Sequence, residues 1–138
     1  IYVESESSRI GNIQIPVGLW RKVTTAPMIS INVPSHARAS YLLSEYNHLV
    51  TDTTALEKLV IGMSKRHGYT RTDFWQSLIE SREWQKLAEN LLKNHYDPAY
   101  DKSISRHARR LIGEIKQSDC QIDNFKVTAA SILGITEG

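Results

Sequence analysis

Apolar residues recur at helical spacing through the middle of the chain. The clearest helix follows the sequence Thr54-Ala55-Leu56-Glu57, which matches a capping box and predicts where that helix begins. Gly68 suits the left-handed backbone position that commonly follows a helix, so it predicts the end of the same element. The i, i+3, i+4, i+7 pattern in between is carried by Leu56, Leu59, Val60 and Met63.

Three more helices are predicted around this one from the same periodicity. The first opens after Pro34 with Ser35 as its N-cap. Another starts near Thr72, and a further one, around Trp84, either continues from it with a kink near Ser81 or starts separately. Tryptophans at helical spacing usually belong to a core, so we expect Trp75 and Trp84 to be buried.

Two stretches have the residue types of β-strands. Residues 28–33 are rich in β-branched side chains and lie between Pro27 and Pro34, which predicts a buried strand. Ile1 to Val3 also favours a strand, and it runs directly into Glu4, Ser5 and Glu6. Because side chains alternate along a strand, Glu4 and Glu6 would share one face. That pair fits either a metal site at a strand end or the solvated charges of an exposed edge strand.

A fifth helix is predicted from about Ser103 to Gln117. At 100° per residue, its apolar side chains cover one side and its cations lie almost opposite. Gly113 lies on the basic side, where a missing side chain would let a phosphate or a backbone come close. The basic face fits a polyanion partner or an ordinary solvated helix surface. Its cations are Lys102, Arg106, Arg109, Arg110 and Lys116.

A second basic cluster surrounds the predicted end of the helix at Gly68. It contains Lys65, Arg66, His67 and Arg71, and Tyr69 beside it could stack on a base. A positively charged helix C-terminus, which the helix dipole favours, is the simpler interpretation.

After residue 117 the pattern allows either a short strand with a terminal helix or one helix.

Composition narrows the class of protein. A chain of 138 residues with 41% hydrophobic and 23% charged residues is expected to form a single soluble domain spanning residues 1–138. The formal net charge of +2 is too small to indicate a nucleic-acid partner by itself. The single cysteine, Cys120, favours a reducing cytoplasmic location, and no apolar run is long enough to predict a membrane span.

Several kinds of chemistry have no motif in the chain. The five histidines are scattered without an i, i+4 pair or an adjacent cysteine, so a structural zinc site is not expected. Neither a phosphate loop nor a dinucleotide-binding glycine motif is present. Any nucleotide site would therefore need a phosphate loop from outside these residues.

Three separated stretches, in the same order, resemble the C-terminal half of bacterial tRNA 2-selenouridine synthase. They are I-Y-V-E-S-E-S-S-R-I-G-N-I-Q-I-P, A-P-M-I-S-I-N-V-P-S-H-A-R and N-H-Y-D-P-A-Y-D-K-S, and the likeness fades after Arg110. In that family a rhodanese domain precedes a P-loop NTPase-like domain. The resemblance implies that residues 1–138 are the part of the second domain that follows the phosphate loop. It also implies exchange of sulfur for selenium in a wobble 2-thiouridine of tRNA, through a geranylated intermediate.

The resemblance assigns roles to particular residues. Glu4 and Glu6 would stand at a Walker-B-like strand end, although Ser5 replaces an aspartate that the family often has there, which weakens a magnesium site. Ser8, Arg9 and Gly11 match a polar turn suited to a phosphate or diphosphate. The Y-D-P-x-Y signature, whose role is not predicted, consists of Tyr96, Asp97, Pro98 and Tyr100.

The expected fold is α/β, a helix-rich remainder of a P-loop NTPase-like parallel sheet with two or three strands and about five helices. The rhodanese cysteine and the phosphate-loop lysine would lie before Ile1, so we expect no catalytic residue or resident metal here and an inactive fragment. Selenophosphate and geranyl diphosphate are implied for the longer enzyme.

The expected partners are tRNA, the N-terminal part of the same protein, and a second copy at an exposed sheet edge. The tRNA contacts would be Lys65, Arg66, Arg71, Lys102, Arg106, Arg109 and Arg110. The alternatives are a helical protein-interaction module and a fragment of a small-molecule kinase.

Overall fold

The computed structural model describes residues 1–4, 7–107 and 109–137. It is rich in helix and has two small sheets, which confirms the helix-rich α/β class. Among the described residues no helix is both long and apolar enough to cross a membrane.

In chain order the elements are β1 (Arg9–Ile10), β2 (Ile13–Gln14), α1 (Val17–Thr25), β3 (Met28–Asn32), α2 (Ser35–Glu45), α3 (Asn47–Thr51), α4 (Thr53–Gly62), α5 (Ser64–His67), α6 (Tyr69–Glu80), α7 (Trp84–Leu91), a π-helical turn (Leu92–Tyr96), α8 (Asp97–Ser105), β4 (Leu111–Lys116) and α9 (Ile122–Glu137).

The chain divides into two compact units. Unit 1 contains residues 1–32, 97–117 and 121–138, and unit 2 contains residues 33–96 with 118–120. Unit 1 therefore holds all four strands together with α1, α8 and α9. The assignment of residues 1–138 to a single domain stays a prediction.

The central element of unit 1 is a two-stranded parallel sheet. β3 pairs with β4 from Met28 opposite Leu111 to Asn32 opposite Lys116. The strand predicted between the two prolines is thus confirmed, one residue shorter than expected. Its expected burial is wrong, because residues 28–30 are half-buried and residues 31–32 are exposed. Each strand of this pair has one hydrogen-bonded neighbour among the described residues. Pairing with a second copy at either open edge stays a prediction.

The predicted fifth helix is wrong over most of its length. α8 ends at Ser105, and residues 111–116 form β4 instead of helix. The short apolar run in this segment satisfies helical and strand patterns alike, and pairing with β3 decides between them. Consequently the continuous basic face does not exist. The tail after residue 117 forms the single helix α9 from Ile122.

The predicted opening strand does not form over residues 1–4, the part of this stretch that the structure describes. Ile1 to Glu4 are exposed and belong to no strand, while Ser5 and Glu6 lie outside the described residues. A strand needs a hydrogen-bonded neighbour, and neither described sheet includes residues 1–4. The first strand of the chain is β1, which pairs with β2 in an antiparallel hairpin. Val3 and Glu4 therefore do not end a Walker-B-like strand.

The core of unit 2 is built by α4, α6 and α7. Trp75 is fully buried at its centre, as predicted, and Trp84 packs partly buried against the same cluster. Gly68 directly follows α5 and has the positive φ expected of it, 78°, but its ψ of 160° is not that of a left-handed helix cap. The single helix predicted from Thr54 to Gly68 is divided at Met63 into α4 and α5. The buried members are Leu56, Val60, Trp75, Leu78, Ile79 and Leu87.

The two predicted N-caps do not form. α2 begins at Ser35 with Pro34 in the cap position, and α4 begins at Thr53 after Asp52. Neither helix has a side-chain capping hydrogen bond. Because α4 starts one residue before Thr54, the Thr54 hydroxyl is already inside the helix and cannot act as its cap.

Gly113 provides space for α9 within unit 1. A Cβ at this position would lie 2.7 Å from Cδ1 and 3.1 Å from Cγ2 of Ile135. The missing side chain therefore leaves room for the Ile135 side chain of α9, whereas the sequence predicted the close approach of a phosphate or a backbone.

Substitution of Gly113 tests that packing. Gly113→Val is expected to lower the free energy of unfolding by about 1–3 kcal/mol because its branched side chain overlaps Ile135. Urea unfolding followed by circular dichroism measures the loss. The control is Gly134→Ala in α9, where an added Cβ meets nothing within 4 Å. If both variants unfold at the same urea concentration as the parent, the β4–α9 contact is not tight.

Candidate functional site

The polar turn of the opening stretch is the tip of the β1–β2 hairpin. Gly11 has a φ of 57° and occupies the first of the two loop positions, as in a type II′ turn. Nε of Arg9 donates to the Gly11 carbonyl at 2.9 Å, and the Arg9 backbone N–H donates to Ser7 Oγ at 3.1 Å. The Ser8 carbonyl accepts from the Ile15 N–H at 2.8 Å. The hairpin thus fixes the position of the exposed Arg9 side chain.

Two of the three sequence motifs meet in unit 1. The Tyr100 hydroxyl, on α8, donates to Oε1 of Glu4 at 2.9 Å. This contact joins residues 96 positions apart in the sequence, so no local pattern could reveal it. Glu6, the other carboxylate of the opening stretch, lies outside the described residues. No group of three or more His, Cys, Asp or Glu side chains in the described part of the chain could hold a metal ion.

The Y-D-P-x-Y signature spans the junction between the π-helical turn and α8. Tyr96 ends the turn in unit 2, while Asp97 begins α8 in unit 1. Asp97 is helical even though Pro98 follows it directly. Proline is tolerated in the first turn of a helix because its missing N–H would have no partner there.

Lys65, Arg66 and Arg71 all lie in unit 2. Their side chains are exposed, as binding to an external polyanion requires. Lys65 and Arg66 belong to the four-residue α5, and Arg71 is in the first turn of α6. The helix dipole favours cations only at C-terminal ends, so it does not explain Arg71. We call these three residues the basic cluster.

The other four predicted tRNA contacts are not on one helix. Lys102 lies on α8, and Arg106, Arg109 and Arg110 lie in the connection between α8 and β4, all in unit 1. Nε and Nη2 of Arg109 are buried without a hydrogen-bond partner. The Arg110 carbonyl accepts from the Met28 N–H at 2.9 Å and so extends the sheet.

A histidine pair beside the basic cluster was not predicted. Nε2 of His67 on α5 and Nδ1 of His95 in the π-helical turn are 2.8 Å apart. Burial, followed by the nearby Arg66, lowers the pKa of both imidazoles. Arg71 lowers the pKa of His67 further. The two rings come from positions 28 apart, which explains why no spacing rule found them.

Polar side chains also meet at the carboxyl end of the parallel sheet. Nδ2 of Asn32 on β3 donates to Oε1 of Glu114 on β4 at 2.6 Å. Ligands of open α/β sheets gather at this end of the strands. The sequence did not predict this pair, because its periodicity assigned residues 111–116 to a helix.

Cys120 does not have the environment of a reactive thiol. Burial and then the neighbouring Asp119 raise its pKa, and Arg38 offsets them only in part. A raised pKa leaves little thiolate at neutral pH.

Curated relatives of the chain share one name. Proteins named tRNA 2-selenouridine synthase from Psychromonas ingrahamii, Shewanella piezotolerans and Shewanella sediminis are 25%, 26% and 28% identical to it over about 80% of its length. The chain spans about 38% of the length of these relatives. No solved structure matches it.

The match that identifies the family lies in the first part of the chain. The family model described as the tRNA 2-selenouridine synthase AAA domain matches residues 1–78. That match includes the hairpin and the basic cluster, and it covers more than half of the chain. The chain therefore belongs to the tRNA 2-selenouridine synthase AAA domain family.

Proposed function

We propose that this chain is part of a cytoplasmic tRNA-modifying enzyme and contributes contacts to tRNA and to a phosphate or diphosphate group. The observation that carries the proposal is the family match over residues 1–78. That segment holds the hairpin with Arg9 and the basic cluster on α5 and α6. The formal net charge of +2 makes local clustering of cations necessary for polyanion binding.

The proposed reaction is replacement of sulfur by selenium in a wobble 2-thiouridine, through a geranylated intermediate. Selenophosphate would supply the selenium, and geranyl diphosphate would supply the geranyl group. Both reagents carry phosphate oxygens, which guanidinium groups bind well because their planar N–H donors match the acceptor geometry. We assign no catalytic residue to this chain, and its share of the proposed chemistry is binding.

Titration of a labelled tRNA transcript with the 138-residue chain at a series of salt concentrations tests the tRNA contacts. Binding through phosphates must weaken linearly on a plot of log affinity against log salt. Absence of binding, or binding that is insensitive to salt, contradicts the proposal.

The phosphate contact at the hairpin has its own test. Arg9→Gln is expected to weaken binding of inorganic pyrophosphate by about tenfold to a hundredfold, because it removes charged hydrogen bonds. Isothermal titration calorimetry measures this effect. Arg21→Gln is the matched control, since it removes another exposed cation of unit 1. Equal losses in the two variants would show that only net charge matters.

A second candidate function is a protein-interaction module. It is favoured by exposed apolar side chains along the hairpin and α1, where Ile10, Ile13, Val17 and Leu19 are 55–73% exposed. In the longer relatives the N-terminal part of the polypeptide would be the natural partner. Light scattering on the sample used for tRNA binding separates the two functions, because concentration-dependent association without tRNA binding favours the module.

A further inference from the structure

We propose that Tyr96 is the base-stacking residue of a site for an unpaired RNA nucleotide, built with the His67–His95 pair, Arg66 and Arg71. This inference rests on the proposed tRNA-binding function and gives the basic cluster a specific ligand. All five residues belong to unit 2.

The Tyr96 ring is held in place while half of it remains open to solvent. Its ring centroid is 5.2 Å from that of His95, and the two rings are nearly perpendicular at 85°. The side chain is 49% exposed. An aromatic ring that is already fixed loses little conformational freedom when a base stacks on it. Tyr69 is 78% exposed and makes no ring contact among the described residues, so it lacks this preorganisation.

The histidine pair connects Tyr96 to the core of unit 2. His95 is hydrogen-bonded to His67, and the His67 ring packs edge-on against Trp75 with centroids 5.1 Å apart. Trp75 is fully buried, so it gives the His67 ring a fixed packing partner. His95 and Tyr96 are presented by a π-helical turn, an uncommon geometry that is frequent at functional sites.

The pair has hydrogen-bonding capacity left for a ligand. The lowered pKa values favour the neutral form of both imidazoles, in which one ring donates its N–H to the other. A neutral pair sharing one proton then has one further N–H donor and one further acceptor nitrogen. Neither of these outer nitrogens has a partner among the described residues. The two outer nitrogens lie on the far sides of the hydrogen-bonded rings, so either one can bind a polar atom of a nucleobase while the base stacks on Tyr96.

The charges around the pair suit the phosphate of the same nucleotide. The charged groups that act on the imidazoles are Arg66 of α5 for both rings, Arg71 of α6 for His67, and His67 for His95. Both arginines are exposed and therefore able to meet a phosphate. Base stacking on tyrosine, hydrogen bonds to a base edge and phosphate contacts are the combination by which proteins bind unpaired RNA.

The test measures binding of a fluorescein-labelled single-stranded oligouridine by the 138-residue chain and its variants. Tyr96→Ala is expected to weaken binding about tenfold, whereas Tyr96→Phe should stay within about twofold because it keeps the stacking ring. The slope of log affinity against log salt should be unchanged in both, since neither variant removes a charge. The matched control is Tyr46→Ala, because Tyr46 is 51% exposed in the same unit beside His48 but outside the basic cluster.

Unfolding temperatures of all three variants are measured in parallel to exclude loss of fold. Tyr96→Ala binding as tightly as the parent overturns the stacking role, as does an equal loss in the Tyr46→Ala control. If Arg66→Ala weakens binding while Tyr96→Ala does not, tRNA contact by the basic cluster survives and only this inference fails. If the parent chain binds neither tRNA nor oligouridine, both fall together.

Discussion

Simultaneous replacement of Lys65, Arg66 and Arg71 by alanine is expected to weaken tRNA binding about 100-fold to 1,000-fold at about 0.1 M salt. Each cation that neutralises a phosphate releases a condensed counterion, and this release contributes about one order of magnitude at that salt concentration. The slope of log affinity against log salt should become shallower by about 2 to 3. Fluorescence anisotropy with a labelled tRNA transcript measures both quantities.

The control removes the same charge from elsewhere. Arg21, Lys58 and Lys126 are also exposed, and they lie outside the basic cluster. Their replacement by alanine changes the net charge equally and should leave the slope nearly unchanged. Equal losses in the two triple variants would mean that the chain attracts tRNA only through overall charge, which would contradict a specific basic cluster.

Trp75→Ala is expected to lower the free energy of unfolding by about 3–5 kcal/mol. Its side chain is fully buried among Leu78, Ile79 and the other members of the unit 2 core. Truncation removes apolar contacts and leaves a cavity that α4, α6 and α7 cannot close without moving. Urea unfolding monitored by far-ultraviolet circular dichroism measures the change.

Two comparison variants make this expectation specific. Phe74→Ala removes the neighbouring ring of the same helix, which is 44% exposed, and should cost less than about 1 kcal/mol. Trp75→Phe should cost less than Trp75→Ala, since it refills much of the volume and removes an indole N–H that has no hydrogen-bond partner. Similar costs at residues 74 and 75 would show that Trp75 is not the centre of the core.

Local patterns predicted the elements whose formation depends on local chemistry. The prolines around β3 and the glycine after α5 constrain the backbone directly, so both were found close to their observed positions. Residues 111–116 were misassigned because their state depends on pairing with a strand that lies more than 80 residues earlier in the chain. Gly113 was the available signal, since glycine is costly inside a helix and was instead interpreted as a surface feature.

The same difference between local and long-range signals applies to the candidate site. The exposed cations Lys65, Arg66 and Arg71 could be identified from composition and spacing, because surface charge needs no partner. The His67–His95 and Glu4–Tyr100 contacts could not, since each joins distant segments that only the fold brings together. The Y-D-P-x-Y signature could be recognised as a motif, but its π-helical turn has no sequence pattern that predicts it.

The pairing of β3 with β4 also has a kinetic consequence. The two strands are parallel neighbours, yet residues 33 to 110 lie between them, including most of unit 2. Such a long connection must close before the strands gain any hydrogen bond, and the entropy of closure grows with its length. The core contacts of α6 with α4 and with α7 span shorter separations and carry less of that cost. Compaction of the helical core shortens the effective distance between the strands, so folding of unit 2 accelerates assembly of the sheet that it interrupts.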